Sequence, residues 1–206
     1  MLSGVGGRRY AGRMARSDDA EFFHAETREE WRAWLAEHHE RDEGVWLVSW
    51  RTATGRSRVP DEEAVMEALA VGWIDGQAKT IDDERHSQWF SKRTSRSPWS
   101  APNKERVERV EAAGYMQPAG RAAIEAAKAN GMWSVFDDAD RLIEPPELTA
   151  LLDADPGARE HWNGFPPSVR RYALGQIALA QRAETKKRRI AEIAKKAAAG
   201  ERPGPP

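Results

Sequence analysis

The sequence predicts an α+β protein in which a small antiparallel sheet packs with helices and is followed by an all-helical C-terminal module. Strand-like runs rich in aromatic and β-branched residues are confined to residues 45–93, and every segment beyond residue 145 has helical periodicity. With 206 residues, 40% of them hydrophobic, the chain can form a compact domain with a helical appendage.

The first helix is predicted by its N-terminal signal. Thr27 and Glu30 form a T-x-x-E capping box. Four residues then follow at the spacing of one helix face: Trp31, Trp34, Leu35 and His38. Residues 45–51 (VWLVSWR) predict a strand, and residues 61–71 predict a second helix whose acidic first turn suits the helix dipole.

The next two strands, residues 73–80 and 85–93, are joined by a short acidic turn that favours a hairpin. Helices are predicted over residues 100–113 and 118–130, each ended by a glycine. Beyond Pro145, Asn-Gly, Pro-Pro and Gly breaks separate four more predicted helices: residues 147–153, 156–163, 168–180 and 184–199.

The composition along the chain divides it into five parts. We expect a disordered tail over residues 1–20, an α+β domain over 21–131, a linker over 132–146, a helical module over 147–199 and a second disordered tail over 200–206. The first tail lacks the apolar core of a secretory signal. The chain has no cysteine, no apolar run of membrane-spanning length and a net charge of −1. These features predict a cytoplasmic protein.

The predicted hairpin mixes tryptophan with charged and amide side chains. Because side chains alternate along a strand, one face is expected to carry Trp73, Asp75, Gln77 and Lys79. Depending on the register, the partner strand adds to this face either Arg85, Trp89 and Arg93 or His86, Gln88, Phe90 and Lys92. In either register we expect Asp75 near a cation, Arg93 or Lys92.

This mixture allows two interpretations. One is a salt bridge and a hydrogen-bonded tryptophan that fix the sheet on its helix. The other is a pocket with indole walls and with Asp75, Gln77 and Arg93 as polar anchors, as in small-ligand sites. Gly72 and Gly76 allow a close backbone approach or a bulge, which favours a site.

Several motifs occur in a characteristic order. The first part of the chain carries GWIDG at residues 72–76, then Arg85, Phe90, Arg93, SPWS at 97–100, Asn103, PAG at 118–120 and Trp133. The second part carries PPS at 166–168, Tyr172, ET at 184–185 and RRI at 188–190. These motifs resemble the YdeI/OmpD-associated family, also described as bacteriocin-protection proteins, over roughly residues 21–199. The resemblance implies a YdhG-like α+β unit, a helical C-terminal module and a role in tolerance of antimicrobial peptides or stress; it implies no catalytic residues.

Two stretches are basic. Residues 92–109 carry six cations against two carboxylates (+4), and residues 182–196 carry seven against two (+5). Because Trp99 lies in the first stretch, it could stack a base beside phosphate-neutralising cations. The second stretch is interpreted as a solvated helix face, and its mostly alanine apolar side is too weak for stable membrane insertion.

The leading hypothesis is a non-catalytic protection protein that sequesters a small molecule or peptide, such as an antibiotic, in a Trp-lined cavity. The predicted ligand-binding residues are Trp46, Trp50, Trp73, Asp75, Gln77, Arg85, Trp89, Arg93, Trp99 and Asn103. No cofactor, metal site or catalytic residue is predicted, and the common enzyme motifs do not occur. Two alternatives stay open: an enzyme that modifies such a compound with Asp75, His86 or Arg93, and a less favoured nucleic-acid or partner-binding module that uses the basic stretches.

Overall fold

A computed structural model describes residues 20–204 of the chain. The described residues divide into two compact units, one up to residue 92 and the other from residue 93 onward. Among the described residues the N-terminal unit contains all of the strands and the C-terminal unit is helical, which confirms the predicted α+β class. Apart from Ala20, the predicted N-terminal tail lies outside the described residues. The predicted domain boundaries stay a prediction.

A mixed sheet of four strands forms the centre of the N-terminal unit as the structure describes it. The strands, in the spatial order β1-β2-β4-β3, are β1 (Phe22–His24), β2 (Val45–Trp50), β3 (Trp73–Thr80) and β4 (Arg85–Lys92). β4 pairs antiparallel with β3, as the predicted hairpin requires, and also antiparallel with β2, whereas β1 pairs parallel with β2. The sequence did not reveal β1, because three residues are too few for a recognisable strand pattern.

Two helices cover one face of this sheet. α1 (Arg28–His38) begins with the predicted capping box, and α2 (Asp61–Ala70) begins with the predicted acidic turn. Trp31 of α1 donates a hydrogen bond from its indole Nε1 to the carbonyl of Ala64, 3.0 Å away. Its ring lies 5.2 Å from Phe90 of β4, so Phe90 points toward the helices. We call this side of the sheet the helix face.

A β-bulge interrupts the alternation along β3. Asp75 pairs with Phe90 and Ala78 pairs with Gln88, so three steps on β3 match two on β4. The extra residue turns the later side chains to the other side of the sheet. The expectation that residues 73, 75, 77 and 79 share one face is therefore wrong: Trp73 and Asp75 lie on the helix face and Lys79 lies on the opposite one. A bulge is one of the two possibilities that the glycines at 72 and 76 left open, and it lies between Asp75 and Ala78.

The described part of the C-terminal unit consists of helices joined by short loops: α3 (Ala101–Ala112), α4 (Pro118–Ala129), α5 (Asp137–Asp140), α6 (Pro146–Asp153), α7 (Pro156–Gly164), α8 (Pro167–Ala178) and α9 (Ala183–Ala198). All but α5 were predicted. α5 is one short turn rich in aspartate, in a segment that the sequence analysis assigned to a linker.

The last four helices share one apolar core. Leu148 and Leu152 of α6, Trp162 of α7, Ile177 of α8 and Ile190 of α9 are buried in it. Pro203, in the segment whose composition predicts disorder, is also buried. Among the described residues, no helix is both long enough and apolar enough to span a bilayer.

Candidate functional site

The sheet face opposite α1 and α2 collects aromatic side chains. Directly paired residues of antiparallel strands point to the same side, and β2 pairs with β4 as Trp46 with Trp89, Val48 with Ser87 and Trp50 with Arg85. We call this side the aromatic face; it comprises Phe22 and His24 of β1, Trp46, Val48 and Trp50 of β2, Lys79 of β3, and Arg85, Ser87 and Trp89 of β4. It therefore gathers four of the predicted ligand-binding residues: Trp46, Trp50, Arg85 and Trp89.

At one end of the aromatic face, three side chains surround the Trp46 ring. This ring is 5.2 Å from that of Trp89, edge to face, and 6.3 Å from that of Phe22, nearly parallel. The Lys79 ammonium lies 4.1 Å from the Trp46 ring centroid and 4.8 Å from that of Phe22, a cation–π arrangement. Trp46 is only 2% exposed and Phe22 is 46% exposed, so Phe22 and Lys79 form the outer layer over this indole.

Trp89 fits against two glycines. A Cβ atom at Gly44 would lie 2.1 Å from Cζ2 of Trp89, which is far inside contact distance. A Cβ atom at Gly76, in the β3 bulge, would lie 3.0 Å from Cδ1 of the same indole. The ring of Trp89 therefore depends on close approach of the backbone at both positions.

Trp50 occupies the other end of the aromatic face among polar neighbours. The guanidinium carbons of Arg56 and Arg85 lie 4.2 and 5.9 Å from its ring centroid, and the His24 ring lies 4.9 Å away. Its Nε1 donates to a Glu26 carboxylate oxygen at 3.3 Å. Each of the two guanidinium groups pairs with a carboxylate, Arg56 with Glu84 at 3.4 Å and Arg85 with Asp82 at 2.6 Å.

The turn between β3 and β4 fixes Arg85. Asp82 accepts two hydrogen bonds from the Arg85 guanidinium, at 2.6 and 2.9 Å, and one from its backbone N–H, at 2.7 Å. The side-chain hydrogen bonds are the main reason why the pKa of Asp82 lies below its usual value and that of Arg85 above it. The guanidinium is thereby held at the rim of the aromatic face.

Three buried polar atoms on the aromatic face have no hydrogen-bond partner among the described residues: His24 Nε2, Trp46 Nε1 and Ser87 Oγ. An unsatisfied buried donor costs on the order of 1–3 kcal/mol. Buried polar groups are normally paired, so exceptions on a shared surface need an explanation. A bound group with acceptor atoms is one such explanation.

Three predicted site residues lie away from the aromatic face. Trp73 is fully buried on the helix face, where its Nε1 donates to the carbonyl of His39 at 2.9 Å. Asp75 accepts a hydrogen bond from Gln88 Nε2 at 3.0 Å on that same face. Gln77 lies in the bulge and is exposed. The structure thus separates Trp73, Asp75 and Gln77 from the Trp46–Trp89 pair.

The strand register places Lys92 on the same face as Asp75, but the two side chains do not form an ion pair. The Lys92 ammonium donates to the carbonyl of Glu40 at 3.2 Å. The acid–base pair of His86 and Asp75 considered from the sequence is not formed either, because His86 Nε2 lies 3.7 Å from a carboxylate oxygen of Asp61.

The remaining predicted residues, Arg93, Trp99 and Asn103, belong to the C-terminal unit. The Arg93 guanidinium lies 3.6 Å from the ring centroid of Trp99 and donates to the carbonyl of Pro98 at 3.2 Å. Asn103 accepts a hydrogen bond from Arg106 at 2.8 Å. Trp99 is 1% exposed, so its ring is not open to a nucleic-acid base in this arrangement.

Four residues of the aromatic face are not among the predicted ligand-binding residues: Phe22, His24, Lys79 and Ser87. Phe22 and His24 lie on a strand too short to recognise from its pattern. The position of Lys79 depends on the bulge, which reverses the side expected from simple alternation. Ser87 is small and carries no signal of its own.

Comparison with known families gives two matches along the chain. Residues 23–123 match a family model described as a domain of unknown function (DUF8412). Residues 141–200 match the family model described as "Bacteriocin-protection, YdeI or OmpD-Associated". We call residues 141–200 the matched C-terminal region. The match confirms the resemblance in the C-terminal part, whereas the YdhG-like character of the N-terminal part stays a prediction. No curated protein and no solved structure matches the chain.

A mostly buried carboxylate organises the matched C-terminal region. Glu144 accepts hydrogen bonds from Trp162 Nε1 at 2.7 Å and from Arg159 Nη1 at 2.9 and 3.0 Å. Arg159 also donates to Asp153 at 2.7 Å, and these hydrogen bonds raise its pKa against the opposing effect of burial. Because Glu144 and Arg159 are both mostly buried and mutually satisfied, this network has the character of a structural element.

Two small grooves border α8 in the matched C-terminal region. Both are lined by Tyr172 and Gln176, and their volumes are about 180 and 220 Å³. The smaller groove also contacts Pro203, and the larger one contacts Phe136. None of the ten predicted ligand-binding residues lines either groove.

Proposed function

We propose that the protein acts in protection against antimicrobial compounds by binding a small aromatic molecule, or an aromatic side chain of a peptide, on the aromatic face of its N-terminal unit. The observation that carries the proposal is that Trp46, Trp50 and Trp89 lie together on the sheet face opposite α1 and α2. The name of the family matched by residues 141–200 supports the protective role. A cytoplasmic location is part of the proposal.

Sequestration needs affinity and no chemical step. Indole rings offer large apolar contact areas and stack on other π systems with preferred geometries. Arg56 and Arg85, beside Trp50, are ion-paired with Glu84 and Asp82, and a guanidinium has five N–H donors, so those left over can fix the orientation of a bound molecule. The aromatic face therefore combines the apolar walls and the few polar groups that are typical of small-ligand sites.

Binding requires the outer layer over Trp46 to move. Lys79 and Phe22 both lie at sheet edges, on β3 and β1, and Phe22 is largely exposed. Side-chain rotation of such residues occurs in picoseconds to nanoseconds. We therefore expect a ligand to replace the Lys79 ammonium above the Trp46 ring without rearranging the sheet.

The test is binding followed by recovery of the compound. The protein is titrated with a panel of aromatic antimicrobials while its tryptophan fluorescence is recorded, and the bound fraction is analysed by mass spectrometry. The proposal predicts saturable quenching at one-to-one stoichiometry and recovery of the compound with unchanged mass. A product of altered mass would favour the enzyme alternative, and absence of binding across the panel would overturn the proposal.

A matched pair of variants tests whether the ligand binds on the aromatic face. Trp89→Phe removes an indole from the aromatic face, whereas Trp133→Phe removes a half-buried indole from the C-terminal unit. The proposal predicts about tenfold weaker binding for Trp89→Phe, which corresponds to about 1.4 kcal/mol, and binding within about twofold of wild type for Trp133→Phe. Equal effects of both variants would contradict the assignment of the site.

A further inference from the structure

The unsatisfied donors on the aromatic face indicate which chemical group a ligand would place there. Trp46 Nε1 is an obligate donor, since an indole nitrogen accepts no hydrogen bond. Ser87 Oγ, in a residue with no exposed surface, is a donor or an acceptor. Both atoms are buried and lack a partner among the residues that the structure describes. A bound group that accepts hydrogen bonds would satisfy both.

The two donors are close neighbours on the sheet. Ser87 pairs with Val48, and Trp46 lies two residues before Val48 on β2, so Ser87 and Trp46 are diagonal neighbours on one side. Such neighbours have backbone positions roughly 7–8 Å apart, within reach of one small group between their side chains. A single acceptor group can therefore engage both.

Lys79 supplies a positive charge at the same place. It pairs with Ser87 across β3 and β4, yet its ammonium lies 4.1 Å from the Trp46 ring on β2. The lysine side chain must therefore extend across β4, over the position of Ser87. If a ligand displaces the Lys79 ammonium from the Trp46 ring, the ammonium would still lie next to Trp46 Nε1 and Ser87 Oγ.

From this arrangement we infer that the ligand of the aromatic face carries an oxyanion, a carboxylate or a sulfonate, next to its aromatic part. The oxyanion accepts hydrogen bonds from Trp46 Nε1 and Ser87 Oγ and pairs with the Lys79 ammonium. Charge-assisted hydrogen bonds of this kind are shorter and stronger than neutral ones. The inference rests on the proposed function, because it describes the ligand of the same face.

Two dyes that differ only in the charged group test the inference. Anilinonaphthalene sulfonate carries a sulfonate, and N-phenylnaphthylamine is the same ring system without it. Their binding to the full chain is followed by dye fluorescence and by energy transfer from tryptophan. The inference predicts that the sulfonate dye binds at least about tenfold more tightly than the neutral dye.

Variants assign this preference to the three residues. Lys79→Met, Ser87→Ala and Trp46→Phe each remove one contact to the oxyanion while keeping most of the side-chain volume. Each is expected to weaken binding of the sulfonate dye by about fivefold to tenfold. Lys79→Met and Ser87→Ala should leave binding of the neutral dye within about twofold, whereas Trp46→Phe also removes aromatic contact area and should weaken the sulfonate dye more than the neutral one. The matched control is Lys128→Met, since Lys128 lies 5.6 Å from the Trp133 ring centroid in the C-terminal unit. Thermal denaturation of each variant checks that it is folded. If Trp46→Phe does not fold, Ser87→Ala and Lys79→Met still test the inference.

The outcomes separate the inference from the proposed function. A preference for the sulfonate dye that Lys79→Met reduces and Lys128→Met does not would support both. Equal binding of the two dyes, sensitive to Trp89→Phe, would overturn the oxyanion inference and leave the aromatic site in place. If neither dye binds, or if Trp89→Phe has no effect on either, both are overturned.

Discussion

Trp46 and Trp89 face each other directly across β2 and β4, with ring centroids 5.2 Å apart and planes inclined by 62°. This edge-to-face geometry is the favoured one for a pair of aromatic rings. Phe90, the next residue after Trp89, points to the helix face and contacts Trp31. Adjacent residues of β4 therefore divide their roles: Phe90 packs the sheet on α1, and Trp89 builds the aromatic face.

The position of Trp89 gives a prediction for Gly44. In Gly44→Ala the added Cβ would lie 2.1 Å from Trp89 Cζ2 and 2.6 Å from the carbonyl oxygen of Phe90, which cannot easily move. We expect a loss of about 2–3 kcal/mol in the free energy of unfolding, as for other overpacked sites. Urea denaturation measures it. The control is Gly164→Ala at the end of α7, where a Cβ would meet nothing within 4 Å and the stability should change by less than about 0.5 kcal/mol.

The contact between α1 and α2 depends on a buried carboxylate. Glu67 is 2% exposed and accepts hydrogen bonds from Arg28 Nε and from Arg32 Nη2, the latter at 2.7 Å. In Glu67→Gln the charge is lost while both guanidinium groups remain, so we expect about 2 kcal/mol of destabilisation in urea. Glu63→Gln is the control, because a carboxylate oxygen of Glu63 lies 4.0 Å from Arg28 Nε. This variant should lower the free energy of unfolding by less than about 1 kcal/mol. Similar losses in both variants would contradict this account.

The hairpin turn predicts a pH dependence. The pKa of Asp82 is lowered in the folded protein, so its contribution to stability is complete above the unfolded-state pKa, near 3.8, and is lost as the pH falls through the lower folded-state value. At pH 7, ~3 units above that pKa, Asp82→Asn should therefore have a lower melting temperature than wild type. Below about pH 4 the difference in melting temperature between the variant and wild type should shrink. Thermal denaturation across this range measures the effect. Asp83→Asn serves as the control, and a difference for Asp82→Asn that grows on acidification would contradict the mechanism.

Asp75 provides a prediction that distinguishes the two sides of the sheet. It lies on the helix face and accepts a hydrogen bond from Gln88, which an asparagine oxygen can also accept. Asp75→Asn should therefore leave the affinity for a ligand of the aromatic face within about twofold of wild type. Titration by tryptophan fluorescence, beside Ser87→Ala, tests this. A loss of binding as large as that of Ser87→Ala would mean that the helix face participates.

Much of the fold could be predicted because its signals are local. The capping box of Thr27 and Glu30 marks the start of α1 independently of the rest of the protein. The β3–β4 hairpin likewise follows from two strand-like runs around a short acidic turn. β1 was missed because its stability comes from parallel pairing with β2, a partner more than twenty residues away that its own three residues do not indicate.

The candidate site could be predicted only in part, for a physical reason. Period-2 alternation correctly groups Trp46 with Trp50, because β2 is regular. On β3 the same rule fails, since one extra residue in the bulge reverses every later side chain and moves Lys79 to the side of Trp89. The position of a bulge depends on the packing of the neighbouring strand, here the close fit of Gly76 to Trp89, and a single sequence does not show it.

The most direct test of the aromatic site is a two-dimensional NMR spectrum of the indole N–H groups, assigned with single Trp→Phe variants and recorded with and without anilinonaphthalene sulfonate. We predict that the Nε1–H signals of Trp46 and Trp89 shift, with that of Trp46 moving downfield as it gains an acceptor. Those of Trp99, Trp133 and Trp162 should stay in place. Unchanged signals for Trp46 and Trp89, or shifts confined to the C-terminal unit, would contradict the account.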